Sequence, residues 1–273
     1  MGCRSNFQRN PPCSVRVGAP ANFEPRLRQW RCGVGSFVFI AIVLATSLAP
    51  AQGLSPRRVG KPENIVSREE WGSKPDPIPP TRRHSPKWIT IHHAGVLWTN
   101  SQKPEEFVRN MQAWGKRRPE LEQPPRNTYW PDLPYHFLIA PDGRIFEGRP
   151  VEYEPESNTK FPLAGNLNVE MMGDFERQRP SLAQLQSVVQ LTAWLVEEHG
   201  IHVENVRTHR DVAPGQTACP GRDFYRYFED GTFLHWVGAA LRGQRPAVEP
   251  GAPLGGDPPG PFELITETRP PAE

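Results

Sequence analysis

The stretch YHFLIAPDGRIFEGRP, Tyr135–Pro150, is the most informative segment for the fold class. Two runs predicted as strands, Tyr135–Ala140 and Arg144–Glu147, flank an Asp142-Gly143 pair. An Asp-Gly pair between two such runs is typical of a tight hairpin turn, because its backbone adopts positive φ at little cost. The segment therefore predicts a β-hairpin.

Strands and helices are predicted on both sides of this hairpin. KWITIHHAG, residues 87–95, and NLNVEMMGDF, residues 166–175, are rich in strand-forming residues, and the second of them alternates along its length. A helix is predicted near residues 104–115, and another over 181–200, where a Ser-x-x-Gln capping box precedes the helix and a glycine ends it. This order predicts an α/β protein with a single domain, residues 62–242, built as a mixed central β-sheet flanked by helices.

The two ends of the chain differ from this domain in composition. An apolar run, Val34–Ala49, follows three arginines and precedes APAQG, which is typical of a secretory signal peptide in a leader of residues 1–51. An uncleaved membrane anchor is the alternative, although the run is short for a spanning helix. Residues 243–273 are rich in proline and glycine and predict a disordered tail. We therefore expect an exported protein, and its formal charge of only +2 indicates no nucleic-acid partner.

A histidine and a cysteine lie ten residues apart in the loop THRDVAPGQTACPG, residues 208–221. Cys219 is the only cysteine beyond the predicted leader, so it cannot form an internal disulfide in the mature chain. A buried, packed cysteine is one interpretation, and a metal-binding pair with His209 is the other.

Zinc in a catalytic site would require a third protein ligand and an open fourth position. Strand alternation places His92 at the end of a predicted strand and turns His93 to the opposite side. The spacing alone leaves the choice of His92 open. It also leaves open whether Glu170, on the strand of residues 166–175, faces solvent or a cleft.

Five ordered motifs carry a family resemblance: IVSREEWG, ITIHHAG, YHFLIAPDGRIFEGRP, the strand with Glu170, and THRDVAPGQTACPG. Over Ile65–Phe228 the chain resembles the zinc-dependent N-acetylmuramoyl-L-alanine amidases. That family includes peptidoglycan recognition proteins, phage lysozyme-type amidases and bacterial anhydro-muropeptide amidases.

The resemblance implies three Zn²⁺ ligands: His92, His209 and Cys219. It also implies three catalytic residues: Glu170 as the acid–base group, with Tyr135 and Thr217 as hydrogen-bond donors to the oxyanion. The ten-residue spacing from His209 to Cys219 is similar to the anhydro-muropeptide branch, whereas the cysteine itself is similar to the recognition and phage branches. The preference between polymeric and anhydro substrates therefore stays open.

The expected activity is hydrolysis of the amide bond between N-acetylmuramic acid and L-alanine, with peptidoglycan or muropeptides as the partners of a monomeric enzyme. Zinc lowers the pKa of a bound water to roughly 7, which suits hydrolysis near neutrality. A non-catalytic peptidoglycan-binding module, an endopeptidase acting within the stem peptide and a structural zinc site are the alternatives. A structural site would require a fourth protein ligand, and no second cysteine follows the predicted leader.

Overall fold

The computed structural model describes residues 58–252 and 254. Six strands are assigned: β1 (Ile65–Val66), β2 (Trp88–His93), β3 (Phe137–Ile139), β4 (Ile145–Glu147), β5 (Asn166–Met171) and β6 (Val206–Thr208). Five α-helices accompany them: α1 (Pro104–Leu121), α2 (Leu182–Glu198), α3 (His209–Val212), α4 (Arg222–Glu229) and α5 (Thr232–Leu241).

The strands form one sheet in the order β1-β4-β3-β5-β2-β6. Only the β3–β4 hairpin is antiparallel, and the other neighbouring pairs are parallel. Gly143 adopts φ +86° in the turn between β3 and β4, as the Asp-Gly pair predicts. The predicted mixed sheet is therefore confirmed.

The two faces of the central strands differ in chemistry. Ile89 and Ile91 of β2, with the alternate residues of β5, belong to the apolar core that α2 and α5 help to form. Gln184 at the start of α2 donates to the carbonyl oxygens of Ile139 (3.2 Å) and Met172 (2.9 Å), which ties the helix to the sheet. The opposite face presents polar residues that are nevertheless buried: Thr90, His92, Asn166, Asn168 and Glu170. A buried polar face is the unusual feature of this sheet.

Helix α1 extends six residues beyond its predicted end at Gly115. This glycine does not stop the helix. It allows a close approach, since a Cβ there would lie 3.3 Å from the Cβ of Trp130. One turn later Arg118, 1% exposed, stacks with its guanidinium carbon 3.7 Å from the Trp130 ring centroid. Packing against Trp130 therefore stabilises the part of α1 that follows Gly115.

Part of the predicted C-terminal tail is packed. Val248 is 7% exposed and belongs to the core, and the Gly251 amide donates to the Tyr227 hydroxyl at 2.7 Å. The folded part therefore extends beyond the expected boundary at 242, at least to Ala252, which accepts a hydrogen bond from Arg226. The rest of the predicted tail and the predicted leader, residues 1–51, lie outside the described residues, apart from Leu254. Within the described part of the chain, no helix is both long enough and apolar enough to cross a membrane.

Candidate metal and catalytic centre

Three side chains predicted as metal ligands lie together at one edge of the sheet. His92 is near the carboxyl end of β2, and His209 directly follows the parallel neighbour β6, so the two strands bring the imidazoles side by side. Their ring centroids are 4.4 Å apart. Cys219, in the loop after α3, places its Sγ 3.7 Å from Nδ1 of His92. One ligand atom from each residue lies within 4.8 Å of the others, and all three residues are buried.

The cysteine loop is held by backbone hydrogen bonds. The His93 amide donates to Cys219 Sγ at 3.3 Å, and the Arg210 amide donates to the Cys219 carbonyl at 2.8 Å. Thr217, half-buried, accepts the Cys219 amide hydrogen bond on Oγ1 at 3.0 Å, which leaves its hydroxyl hydrogen free to donate elsewhere. The His93 ring turns away, as strand alternation predicts, and its Nδ1 accepts from the Phe175 amide at 3.0 Å.

His209 contacts a loop that the sequence did not single out. Its Nε2 lies 2.6 Å from Oγ1 of Thr159 and 3.4 Å from Oγ of Ser157. The backbone of Lys160 is joined to the Gln216 side chain by two hydrogen bonds, of 2.8 and 3.1 Å. The loop of residues 157–160 is therefore tied to the loop that carries Cys219.

Glu170 of β5 lies directly opposite His92 of β2 in the sheet register. It is 0% exposed, and neither carboxyl oxygen has a hydrogen-bond partner among the described residues. Burial raises the pKa of this carboxyl to about 8, because water no longer solvates the charged form. The sequence left open whether Glu170 faces solvent or a cleft, and in the structure its side chain lies inside the protein.

Tyr135 lies beside the same group of residues, with its ring centroid 5.2 Å from that of His92. Burial raises the pKa of Tyr135 well above its usual value, and the nearby Glu170 and Cys219 add smaller contributions in the same direction. Its hydroxyl therefore stays protonated at neutral pH and is able to donate a hydrogen bond.

Burial also sets the protonation states of the three potential ligands. It lowers the pKa of His209 to about 4 and that of His92 well below the usual value, with the neighbouring imidazole adding to the effect on His92. Burial raises the pKa of the Cys219 thiol. At neutral pH the metal-free centre therefore holds two neutral imidazoles and a thiol, and a cation would favour release of the thiol proton.

This donor set fits zinc. Tetrahedral zinc with Zn–N of about 2.0–2.1 Å and Zn–S of about 2.3 Å separates adjacent ligand atoms by roughly 3.3–3.6 Å. The 3.7 Å between Cys219 Sγ and His92 Nδ1 is close to that separation. Two imidazoles and a thiolate are ligands that zinc prefers, and three protein ligands are the number typical of a catalytic site.

A cleft of 390 Å³ adjoins the centre and shares Tyr135 with it. Helix α1 forms one wall, and the segment after β2 contributes Ala94 and Val96. None of the lining residues is charged: Ala94, Val96, Phe107, Asn110, Met111, Trp114, Trp130, Pro134, Tyr135 and Asn158. The cleft therefore offers aromatic, aliphatic and amide surface beside the candidate centre.

All six predicted site residues lie inside a segment that matches a known family. The model of the N-acetylmuramoyl-L-alanine amidase family matches residues 82–222, just over half of the 273 residues. Peptidoglycan recognition protein 1 of Rattus norvegicus is 25% identical over 167 residues, covering 60% of this chain and 85% of the relative.

Two solved structures are also similar. Peptidoglycan recognition protein-LE, solved in complex with tracheal cytotoxin, has 22% identity and a TM-score of 0.51, covering 61% of this chain and 93% of its own. The N-acetylmuramoyl-L-alanine amidase LysC from Clostridium intestinale has 24% identity and a TM-score of 0.47, and the match covers 66% of this chain and 98% of LysC. The first likeness agrees with the mixed sheet flanked by helices. With the family match over residues 82–222, the chain belongs to the N-acetylmuramoyl-L-alanine amidase family.

Proposed function

We propose that the protein is a zinc-dependent N-acetylmuramoyl-L-alanine amidase that hydrolyses the bond between N-acetylmuramic acid and L-alanine in peptidoglycan or its fragments. The main support for this proposal is the Glu170 carboxyl, which is buried and has no hydrogen-bond partner among the described residues. It lies opposite His92 in the sheet, beside the cluster of His92, His209 and Cys219. A module that only binds peptidoglycan does not need a carboxyl kept inside the protein at a considerable cost in stability.

His92, His209 and Cys219 would hold the zinc ion. When bound, zinc supplies Lewis-acid activation of water and of the amide carbonyl. The neutral state of both imidazoles supports this role, because a protonated imidazole cannot bind a metal.

Glu170 moves the proton in this proposal. The carboxyl has a pKa of about 8 in the metal-free protein, and a bound cation would lower that pKa toward neutrality, so the ionised form can take a proton from the attacking water and pass it to the leaving amine. The amine leaves poorly unless it is protonated, so the reaction requires such a carrier. The hydroxyls of Tyr135 and Thr217 donate hydrogen bonds to the oxyanion that develops on the carbonyl.

The uncharged cleft beside Tyr135 receives the substrate. Aromatic side chains such as Trp114 and Trp130 suit the apolar faces of a sugar or a peptide, and Asn110 and Asn158 offer amide groups to its backbone. The solved relative in complex with tracheal cytotoxin, which is described as a monomeric diaminopimelic acid-type peptidoglycan, supports a muropeptide as the occupant.

Mass spectrometry of digested substrates tests the proposal. Purified sacculi and soluble anhydro-muropeptides are incubated with zinc-loaded protein, and the new amino termini are identified. We expect free L-alanine termini on intact stem peptides. New termini elsewhere in the stem would assign an endopeptidase, and binding to sacculi without any cleavage would assign a recognition module.

Variants connect the activity to the centre. His92→Ala should lose bound zinc and hydrolysis together, because two ligands remain. His235→Ala is the matched control, since His235 is an exposed histidine on α5 outside the cluster, and it should keep both. Equal zinc content in the two variants would contradict the proposed ligand set.

Export through a leader of residues 1–51 remains part of the proposal, because peptidoglycan lies outside the cytoplasmic membrane. The relevant residues fall outside the described part of the chain, so the apolar run Val34–Ala49 is the supporting observation.

A further inference from the structure

We propose that Thr159 is a positioning residue for the metal centre: its hydroxyl fixes the tautomer of His209 so that Nδ1 of that ring faces the metal. The inference rests on the proposed zinc site and adds a residue that neither the sequence motifs nor the predicted ligand set contains. It concerns the loop of residues 157–160, which contacts His209 from outside the ligand cluster.

The hydrogen bonds around His209 point to one tautomer. Its Nε2 lies 2.6 Å from Thr159 Oγ1, a short contact that engages this nitrogen fully. No hydrogen bond to Nδ1 of the same ring is found among the described residues. Nδ1 is therefore the ring nitrogen left to offer a lone pair to a metal, and Nε2 then carries the hydrogen and donates it to Thr159.

Thr159 is able to accept that hydrogen bond because its own hydroxyl hydrogen has another acceptor. Ser157 Oγ lies 2.9 Å from Thr159 Oγ1, and the same Ser157 oxygen accepts the Thr159 amide at 3.1 Å. In this arrangement the imidazole N–H donates to the Thr159 oxygen, and the Thr159 hydroxyl donates to the Ser157 oxygen. His92 has the matching orientation, since its Nδ1 is the nitrogen that lies 3.7 Å from Cys219 Sγ.

The position of Thr159 is itself held by Gln216. The Lys160 amide donates to the Gln216 side-chain oxygen at 2.8 Å, and the Gln216 side-chain nitrogen donates to the Lys160 carbonyl at 3.1 Å. Gln216 lies three residues before Cys219 in the same loop. The loop of Thr159 and the loop of Cys219 are therefore joined by two hydrogen bonds, which helps to hold the Thr159 hydroxyl beside His209.

A hydrogen bond to the second nitrogen of a metal-binding imidazole fixes the ring and raises its basicity, and its loss typically weakens metal affinity by about 10–100-fold. Three variants separate the hydroxyl from the shape of the side chain. Thr159→Val removes the hydroxyl and keeps the volume, whereas Thr159→Ser keeps the hydroxyl. Thr99→Val is the matched control, because Thr99 is exposed and its hydroxyl forms a similar pair with Ser101, at 3.0 Å.

Two readouts other than activity test the role. Competition with a chromophoric chelator gives the zinc dissociation constant, and long-range ¹H–¹⁵N NMR of the metal-free protein gives the tautomer of His209. We expect Thr159→Val to weaken zinc binding about 10–100-fold and to lose the pure Nε2–H tautomer, with an unchanged melting temperature. Thr159→Ser and Thr99→Val should match the wild type in both measurements. Because Thr159 acts on zinc binding through His209 and not on the substrate, an excess of zinc should restore the kcat of Thr159→Val to the wild-type value.

Wild-type zinc affinity and an unchanged tautomer in Thr159→Val would overturn the inference. Tighter zinc binding in that variant would also overturn it, since Thr159 would then compete with the metal for Nε2. These outcomes are distinct from failure of the proposed function, in which the wild-type protein itself would release no L-alanine. The tautomer measurement needs neither zinc nor substrate, so it reports on Thr159 in either case.

Discussion

The Glu170 carboxyl should make the metal-free protein less stable as the pH rises, and Glu170→Gln should remove that loss. The side chain is 0% exposed and its oxygens have no partner among the described residues, so the folded protein accommodates the protonated carboxyl far better than the carboxylate. Glutamine has nearly the same shape and does not titrate. The comparison therefore isolates the cost of one buried charge.

The magnitude follows from the pKa. The value rises from 4.5 in the unfolded chain to about 8 in the folded one, and a shift of one pH unit corresponds to about 1.36 kcal/mol. The stability that the protonated carboxyl contributes is fully present below about pH 4.5 and is lost as the pH rises through 8. The loss should reach about 3 kcal/mol at pH 7 and about 5 kcal/mol well above pH 8, as order-of-magnitude figures.

Urea unfolding followed by tryptophan fluorescence measures this loss. The metal-free wild type and Glu170→Gln are compared at several values between pH 5 and pH 9. Buried histidines such as His209 titrate in both proteins, so the difference between the two free energies of unfolding cancels their effect. Any fixed cost of burying the glutamine amide shifts the whole difference curve without changing its slope.

The difference should grow in favour of Glu170→Gln by several kcal/mol between pH 5 and pH 9. The exposed Glu63 supplies the control, since Glu63→Gln should give a flat difference curve. A flat curve for Glu170→Gln as well would mean that the carboxyl is solvated and ionised throughout. That result would refute both its burial and the reason for assigning it the proton transfer. With zinc bound the difference should shrink, because a nearby cation stabilises the carboxylate.

Four further outcomes are expected. Glu170→Gln should keep its zinc and lower kcat by at least about 10²-fold, the scale of acid–base residues, as measured by release of L-alanine termini. Cys219→Ser should lose most of its zinc and activity, whereas Cys219→Asp should keep zinc and part of the activity; a packed, non-ligating cysteine would reverse that order in metal analysis and thermal melts. Arg149→Met should lower the free energy of unfolding by about 1–3 kcal/mol in urea titrations, because the buried Leu133 carbonyl loses the hydrogen bond that Arg149 Nε donates at 2.8 Å, whereas Glu156 keeps its ion pair with Arg82. Mass analysis of exported protein should find an amino terminus near Gln52, and an intact chain recovered from the cytosol would contradict the leader.

Periodicity and turn chemistry were sufficient to predict most of the sheet. The Asp142-Gly143 turn and the alternation in β5 are local features that the folded protein keeps. Gly115 misled the prediction, because a glycine that ends a helix and a glycine that admits a neighbouring tryptophan look alike in sequence. Strand β1, only two residues long, has no pattern of its own and exists through its pairing with β4.

The candidate site divides in the same way. Local patterns locate His92, Glu170 and the loop of His209 and Cys219 on strands and turns, but only the family resemblance implies their roles as ligands and acid–base group. Thr159 had no such signal, since its role depends on a loop that reaches His209 from 50 residues away in the sequence. Asn168 did have one, because alternation places it on the same face as Glu170, and its side chain is likewise fully buried there.

The polar face of the sheet is where local rules and the fold disagree. Alternation of apolar and polar residues normally predicts that the polar face of a strand meets water, yet Asn168 and Glu170 are both 0% exposed. A protein selected for stability alone would place apolar residues there, as it does at Leu167 and Val169 on the other face. The stability forgone on the polar face is what raises the pKa of the Glu170 carboxyl to about 8 beside His92, so the same burial that weakens the fold supports the role in proton transfer that we propose for this carboxyl.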